Sequence, residues 1–203
     1  MSTYLFYKKI INHGGAENLL LNHYNSLIKE GKKVKIITYQ NKLFENGSLN
    51  KNIIDVKNIF GFLLLLIKNN KKNKTIICHS GYIDVFLISL FYKINYSAFL
   101  HQPTLLSFNE SDKFAFKNLE KLEAEKKLDL FSENLKIFKR LKEGMTFYQK
   151  QYCNFRFLLS RLALNKAKNT FVLSETSREE KKTLYGINSY ALRGAINNKD
   201  ILK

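Results

Sequence analysis

Hydrophobic and polar positions along this chain follow two alternating patterns. Short runs rich in β-branched and aromatic residues, typical of buried strands, occur at residues 4–11, 34–39, 75–79, 96–101, 170–173 and 189–192. Between them, apolar residues recur at helical spacing, as Leu19, Leu20, Leu27 and Ile28 do before Gly31, a residue typical of a helix end. The helices predicted in this way span residues 16–30, 59–68, 83–92, 147–167 and 175–185, and the strongly apolar second one is expected to be buried.

This alternation of strands and helices predicts an α/β fold. Strands separated by single helices pair in parallel, so we expect a doubly wound, mostly parallel, Rossmann-like sheet of roughly six strands. A long helical insertion, at about residues 107–168, interrupts the pattern before the penultimate strand. At roughly 100–200 residues per domain, residues 1–203 are expected to form one domain.

Composition narrows the class of protein. With 45% hydrophobic residues the chain has enough apolar material for a core, so we exclude a disordered protein. The formal charge of +17 arises from 34 Lys+Arg against 17 Asp+Glu, and only five of the 34 are arginine. Because proteins that read bases and phosphates favour the bidentate guanidinium of arginine, we expect no nucleic-acid partner. Solvation of the surface is an explanation of the lysine excess that needs no anionic partner.

The chain also lacks the signals of export. Cys78 and Cys153 are too far apart in sequence to suggest a disulfide framework or a zinc site. The longest apolar run, residues 59–67, is much shorter than the roughly 20 residues that cross a bilayer. The start of the chain, MSTYLFYKKII, reverses the charge order of a signal peptide. We therefore expect a cytoplasmic protein.

A glycine pair between the first strand and the first helix is the first candidate site. Gly14 and Gly15 would let a ligand approach the backbone, and free amides at a helix start attract phosphate, which suits a diphosphate. The loop has neither the G-x-G-x-x-G fingerprint nor the P-loop ending. Two interpretations stay open: a phosphate site, or only a tight turn. Glu17 could likewise orient a ligand or only balance the helix dipole.

The sequence around this loop resembles family 4 glycosyltransferases of the two-domain GT-B type. In that family a GGAE loop precedes a Leu-rich helix and a GHxVxIIT strand, and residues 12–20, 27, 31–34 and 36–38 are similar to this opening. Residues 76–80, 98–101, 171–174, 185–186 and 192–197 look like later parts of the same N-terminal domain, in the same order. The resemblance covers nearly the whole chain.

The resemblance implies the acceptor-side half of an enzyme that transfers a sugar from a nucleotide-sugar, with retention, to a polysaccharide, lipopolysaccharide or glycolipid. The donor is a substrate, and no cofactor or metal is expected. Gly14, Gly15 and Glu17 would bind the donor, and His101 would lie near the reaction centre as the candidate catalytic residue. The family's C-terminal donor-binding domain is not present in the sequence, so we expect the chain to need a separate domain or subunit for activity.

Histidines provide further candidates on the same edge of the predicted sheet. His13 precedes the glycines, while His79 and His101 end two strands. Because ligands of open α/β sheets bind at the carboxyl ends of strands, we expect His13 and His79 to contact substrate. The alternative for His101 is a hydrogen-bonded loop residue. His23, inside the first helix, is expected to be structural or exposed.

A basic stretch with many aromatic residues suggests a second kind of partner. Residues 144–174 contain no acid, and their arginines and lysines alternate with Phe, Tyr and Leu. Such a helix can lie on an anionic membrane surface, or it can pack on the sheet with its lysines in water. The alternative to an enzyme is therefore a non-catalytic module that binds an anionic ligand or a membrane surface.

Overall fold

The computed structural model describes residues 2–12, 14–44, 49–69, 74–100 and 143–192. Within them the strands are β1 (Ser2–Phe6), β2 (Lys33–Thr38), β3 (Ile53–Asp55), β4 (Lys74–Cys78), β5 (Asn95–Leu100), β6 (Asn169–Val172) and β7 (Tyr190–Ala191). The helices are α1 (Gly15–Lys29), α2 (Ile59–Lys68), α3 (Tyr82–Phe91), α4 (Phe147–Lys166) and α5 (Glu175–Tyr185), and a short 3-10 turn at Asn50–Asn52 leads into β3.

The seven strands form one sheet in the order β3-β2-β1-β4-β5-β6-β7. Each pair whose register is described runs parallel, and Leu5 of β1 lies between Ile36 of β2 and Ile77 of β4. The order runs one way from β1 to β3 and the other way from β4 onwards, which defines a doubly wound, Rossmann-like sheet. The predicted fold class is confirmed. The sequence pattern missed β3, which has only three residues.

The chain divides into two compact units. The first comprises Met1–His101 and Lys166–Thr170, and the second comprises Gln102–Asn165 and Phe171–Lys203. In the first, β1, β2 and β4 bury their apolar side chains, and α1 packs Leu20 and Tyr24 against this core. In the second, Phe157 of α4 stacks on Tyr185 of α5, with 5.1 Å between the ring centroids.

Local sequence signals explain where several helices begin and end. Ser174 caps α5 by accepting a hydrogen bond from the Ser177 amide at 3.1 Å, and Gly186 ends the helix with a φ of 68°. Asn58 caps α2 in the same way, accepting from the Gly61 amide at 2.9 Å. A side chain at Gly61 would collide with the Val56 carbonyl oxygen. Glycine therefore allows α2 to start close against the end of β3.

Two predictions about helices need correction or stay open. The helix at residues 59–68 was expected to be buried, but Phe60 and Leu64 are 73% and 64% exposed, so only one of its two apolar faces is covered. The predicted helical insertion falls largely on residues 101–142, which lie outside the described residues. Its second part is the helix α4. No helix in the described ranges combines the length and apolarity needed to cross a bilayer.

The first strand is shorter than the prediction of residues 4–11. Regular pairing stops at Phe6, and Lys8 and Lys9 lie exposed beyond it. Ile10 then pairs with Asn41 as an isolated bridge. Residues 7–12 therefore do not continue the regular strand.

Candidate ligand site at the carboxyl edge of the sheet

The candidate site lies where the strand order reverses, between β1 and β4. Open α/β sheets bind ligands in the crevice at this point, beyond the carboxyl ends of the strands. Here those ends are Phe6 and Cys78, and the loops that follow lead to Gly15 and to Gly81, at the starts of α1 and α3. His13 and His101 fall outside the described residues, so their predicted roles stay predictions.

The glycine pair forms the start of α1. Gly14 is the N-cap with an extended backbone, φ −142°, and its carbonyl accepts a hydrogen bond from the Asn18 amide at 3.0 Å. Gly15 is exposed, and no described atom lies within 4 Å of the place where a Cβ would stand. Neither positive φ nor internal packing therefore requires glycine at position 15. A ligand could approach this backbone closely.

Glu17 extends its carboxylate over the same helix start. The Tyr7 hydroxyl donates to Glu17 Oε1 at 3.0 Å, and Glu17 Oε2 lies 2.7 Å from the position that a Cβ on Gly14 would occupy. Burial, and then the Glu17 carboxylate, raise the pKa of Tyr7 to about 12. A carboxylate at a helix N-terminus interacts favourably with the helix dipole. It can accept hydrogen bonds from hydroxyl groups, but it repels phosphate because both are negatively charged. Contact between Glu17 and a donor stays a prediction.

The loops after β1 and β4 are joined by hydrogen bonds. The His79 amide donates to the Phe6 carbonyl at 2.8 Å, and the Lys8 amide donates to Ser80 Oγ at 2.7 Å. Gly81 has a φ of 68°, and a Cβ there would lie 2.7 Å from Phe6 Cε1. Only glycine fits at this position without strain. These bonds hold the two sides of the crevice together.

A charged pair lies on this joined edge. Lys8 Nζ lies 3.0 Å from Oδ2 of Asp84, a residue in the first turn of α3. The Lys8 side chain is 48% exposed. The same ammonium lies 5.8 Å from the centroid of the Tyr39 ring, just beyond β2. Burial and the nearby Asp84 carboxylate raise the pKa of Tyr39. Lys8 thus places a partly accessible positive charge at this edge, paired with the Asp84 carboxylate.

Sequence reasoning missed Lys8, Ser80, Gly81 and Asp84 as members of this edge. Their partners lie far along the chain: the Lys8 amide and Ser80 are 72 positions apart. The available signal was Gly81 itself, a glycine between a strand and a helix, as at Gly15.

His79 lies at the end of β4, as predicted, but its side chain is buried with 1% exposure. Its Nε2 lies 2.9 Å from His23 Nδ1, and its ring stacks on Phe99 with 5.0 Å between centroids. Burial lowers the pKa of His23, while Glu30 acts in the opposite direction. The geometry thus gives His79 a packing role, and its contact with substrate stays a prediction. His23 was predicted to be either structural or exposed, and its contact with His79 gives it a structural role.

Groups that could bind a metal are not clustered here. Within the described residues, no three His, Cys, Asp or Glu side chains come together as a possible metal site. Cys78 is fully buried below the edge, and burial raises the pKa of its thiol.

Comparison with known proteins gave no match to any family model and none to any curated protein.

Proposed function

We propose that this chain is the N-terminal, acceptor-side half of a retaining GT-B glycosyltransferase. Two observations support the proposal: the sequence around Gly14 and Gly15 resembles the opening of family 4 enzymes, and that segment lies at the switch point of a Rossmann-like sheet. The observation that carries it is Gly15, which is exposed and which the fold itself does not require to be glycine.

The chemistry proposed for this edge is charge stabilisation. When a sugar leaves a nucleotide diphosphate, negative charge develops on the terminal phosphate, and amides fixed in advance at the α1 start would stabilise it. Lys8 would add a positive charge, and Glu17 would accept hydrogen bonds from sugar hydroxyls rather than contact phosphate. His101 is proposed near the reaction centre. No step in this scheme requires a metal.

The donor nucleoside would be bound by a separate C-terminal domain or subunit. Acceptors in this proposal are polysaccharide, lipopolysaccharide or glycolipid, and the reaction takes place in the cytoplasm, at or near the membrane. Alone, a single half leaves the donor exposed to water and loses both positioning and charge stabilisation. We therefore expect little or no transfer by the isolated chain.

Reconstitution tests the proposal. The chain is mixed with a family 4 C-terminal domain supplied separately, and sugar transfer and donor affinity are measured. In the reconstituted enzyme Gly15→Val should weaken donor binding by about tenfold or more, because a β-branched side chain would block approach to the backbone. Asn18→Val, an exposed position in the same helical turn, is the matched control and should leave affinity unchanged.

The outcome for each candidate residue is separable. Equal affinities for Gly15→Val and the wild type would contradict the role of the loop. His101→Ala should lower turnover more than it lowers the free energy of unfolding, and equal losses would favour a loop residue. Absence of transfer in any reconstituted mixture would contradict the enzymatic proposal as a whole.

A second candidate function is a non-catalytic module that binds an anionic ligand or a membrane surface. It is favoured by α4, whose acid-free sequence leaves several large side chains exposed: Phe147 69%, Tyr148 83%, Tyr152 60% and Phe155 58%. The opposite face of α4 is packed, with Phe157, Ala163 and Leu164 buried. Tight binding of a phosphosugar or of anionic vesicles that is unaffected by a C-terminal domain, without transfer, would favour this module over the enzyme.

A further inference from the structure

The helix α2 has two apolar faces, and only one of them is covered. Phe62 and Leu66 are buried, whereas Phe60, Leu64 and Ile67 are 73%, 64% and 49% exposed. The three exposed residues are separated by four and then three positions, so they form one stripe along the helix. A helix that is apolar all round is normally enclosed, so a stripe of this kind indicates an interaction surface.

The end of the neighbouring helix α3 lies beside the end of α2 and has exposed apolar residues of its own. The Tyr92 hydroxyl, directly after α3, donates to the Leu66 carbonyl at 3.3 Å, which brings the ends of the two helices together. Beside these two residues, Phe91 is 83% exposed and Ile67 is 49% exposed, and Leu90 is 54% exposed. We call Phe60, Leu64, Ile67, Leu90 and Phe91 the α2–α3 surface.

The charges around the α2–α3 surface are mostly positive. Lys57, Lys68 and Lys93 are all exposed. The nearest acids along the chain are Asp55, whose carboxylate accepts a hydrogen bond from the Lys57 amide, and Asp84, which pairs with Lys8. A second copy of the chain would bring the same lysines together, with a formal charge of +17 on each copy. An acidic surface with an apolar interior complements both features, and an anionic bilayer has this chemistry.

We propose that the α2–α3 surface docks the chain on an anionic lipid bilayer. Phe60, Leu64 and Phe91 enter the boundary between headgroups and acyl chains, and the three lysines lie at the level of the lipid phosphates. The proposal does not rest on glycosyl transfer, and it uses neither α4 nor the carboxyl edge of the sheet. It assigns membrane contact to a surface of the first unit.

Vesicle binding by the full chain tests the proposal. Partition is measured by co-sedimentation with phosphatidylcholine vesicles that contain about one third phosphatidylglycerol, and with pure phosphatidylcholine vesicles. The double variant Phe60→Gln/Leu64→Gln should lower partition to the anionic vesicles by about tenfold or more, because both side chains lose apolar contact. Each of Lys57→Gln, Lys68→Gln and Lys93→Gln should lower it by about fivefold, and added salt should weaken the wild type.

The matched control is Ile28→Gln/Tyr190→Gln, which removes two exposed apolar side chains from α1 and β7 and should leave partition unchanged. All the replaced side chains are exposed, so circular dichroism should show every variant folded. Unchanged binding by Phe60→Gln/Leu64→Gln would overturn the proposal, as would a loss confined to Tyr152→Gln/Leu162→Gln, which would assign vesicle binding to α4 instead. A dimer abolished by the α2–α3 variant, without vesicle binding, would also overturn it and identify a second copy as the occupant.

Discussion

Two helices start beside the switch point with glycine, and the reasons for glycine differ. At the start of α3, Gly81 has a φ of 68° and a Cβ there would lie 2.7 Å from Phe6 Cε1. At the start of α1, Gly14 is extended with a φ of −142°, and a Cβ on Gly15 would meet no described atom within 4 Å. The fold requires glycine at position 81, whereas the backbone of Gly15 is exposed and has no described neighbour that excludes a side chain.

This contrast separates stability from function at one edge of a sheet. A glycine explained by its own backbone and neighbours needs no ligand, so Gly81 gives no evidence for binding. Gly15 lacks such an explanation and carries the conformational cost of glycine in a helix. Substitutions at the two positions should therefore affect different measurements.

The largest loss of stability is expected for Gly81→Ala. A left-handed backbone costs an alanine about 1–2 kcal/mol, and the contact with Phe6 adds about 1–3 kcal/mol. We expect the free energy of unfolding, measured in urea, to fall by about 2–5 kcal/mol. Gly31→Ala is the matched control, because Gly31 also has a positive φ, 73°, but no described atom lies near its missing Cβ. Equal losses of stability at both positions would show that the Phe6 ring moves away from the new methyl group without a loss of stability.

The next largest effect is expected for Tyr7→Phe, which removes the hydrogen bond that fixes Glu17 over the start of α1. Loss of a hydrogen bond to a charged acceptor should lower the free energy of unfolding by about 1–2 kcal/mol. Because the pKa of Tyr7 rises to about 12 in the folded chain, its contribution should be complete below pH of about 10 and disappear as the pH rises toward 12.

A phenolate absorbance titration of Tyr7 checks the predicted pH dependence. In Glu17→Gln the carboxylate charge is lost but an acceptor remains, so the pKa of Tyr7 should fall while burial still holds it above its ordinary value. A Tyr7 titration that does not respond to Glu17→Gln would contradict the contact.

A smaller effect is expected at the histidine pair. Removing the bond between His23 Nδ1 and His79 Nε2 with His23→Gln should cost about 1 kcal/mol at neutral pH. Burial lowers the pKa of His23, so the folded state favours the neutral ring. That contribution is present above the unfolded pKa of about 6.5 and is lost as the pH falls through the folded value.

Urea unfolding at several pH values measures this effect. Wild-type stability should decline on acidification below pH of about 6.5, and the decline should be shallower in His23→Gln. Identical pH profiles for the two proteins would show that the pair does not couple folding to protonation.

The smallest effect on stability is expected for Gly15→Ala. The first residue of α1 has space for a methyl group, so the free energy of unfolding should stay unchanged or rise by about 0.5 kcal/mol. A loss of more than about 1 kcal/mol would show that the fold does require glycine here, and the contrast with Gly81 would disappear.

Local sequence signals predicted most of the elements and part of the site. The bounds predicted for α2 and α5 agree with the structure because Asn58 and Ser174 cap the helices and Gly186 ends α5. The first strand was predicted too long because the apolar residues Ile10 and Ile11 continue the pattern after regular pairing has ended. The strand β3 is too short to show a period.

Only the features of the site that lie within one loop were predicted from the sequence. The position of Gly14 and Gly15 at a strand-to-helix turn follows from neighbouring residues. The bond between Lys8 and Ser80, and the burial of His79 against His23 and Phe99, depend on which strands pair. No local pattern contains that information, because the partners are brought together by the order of the sheet.

The fit of Gly61 beneath the Val56 carbonyl limits how α2 can respond to its surroundings. Position 61 has no room for a side chain, and the Asn58 cap holds the first turn, while Leu64 lies on the outward face of the helix. A rotation of α2 about its long axis that buried Leu64 would disrupt both contacts. Mutations that enlarge residue 61 should disturb the orientation of the whole helix before they disturb its length.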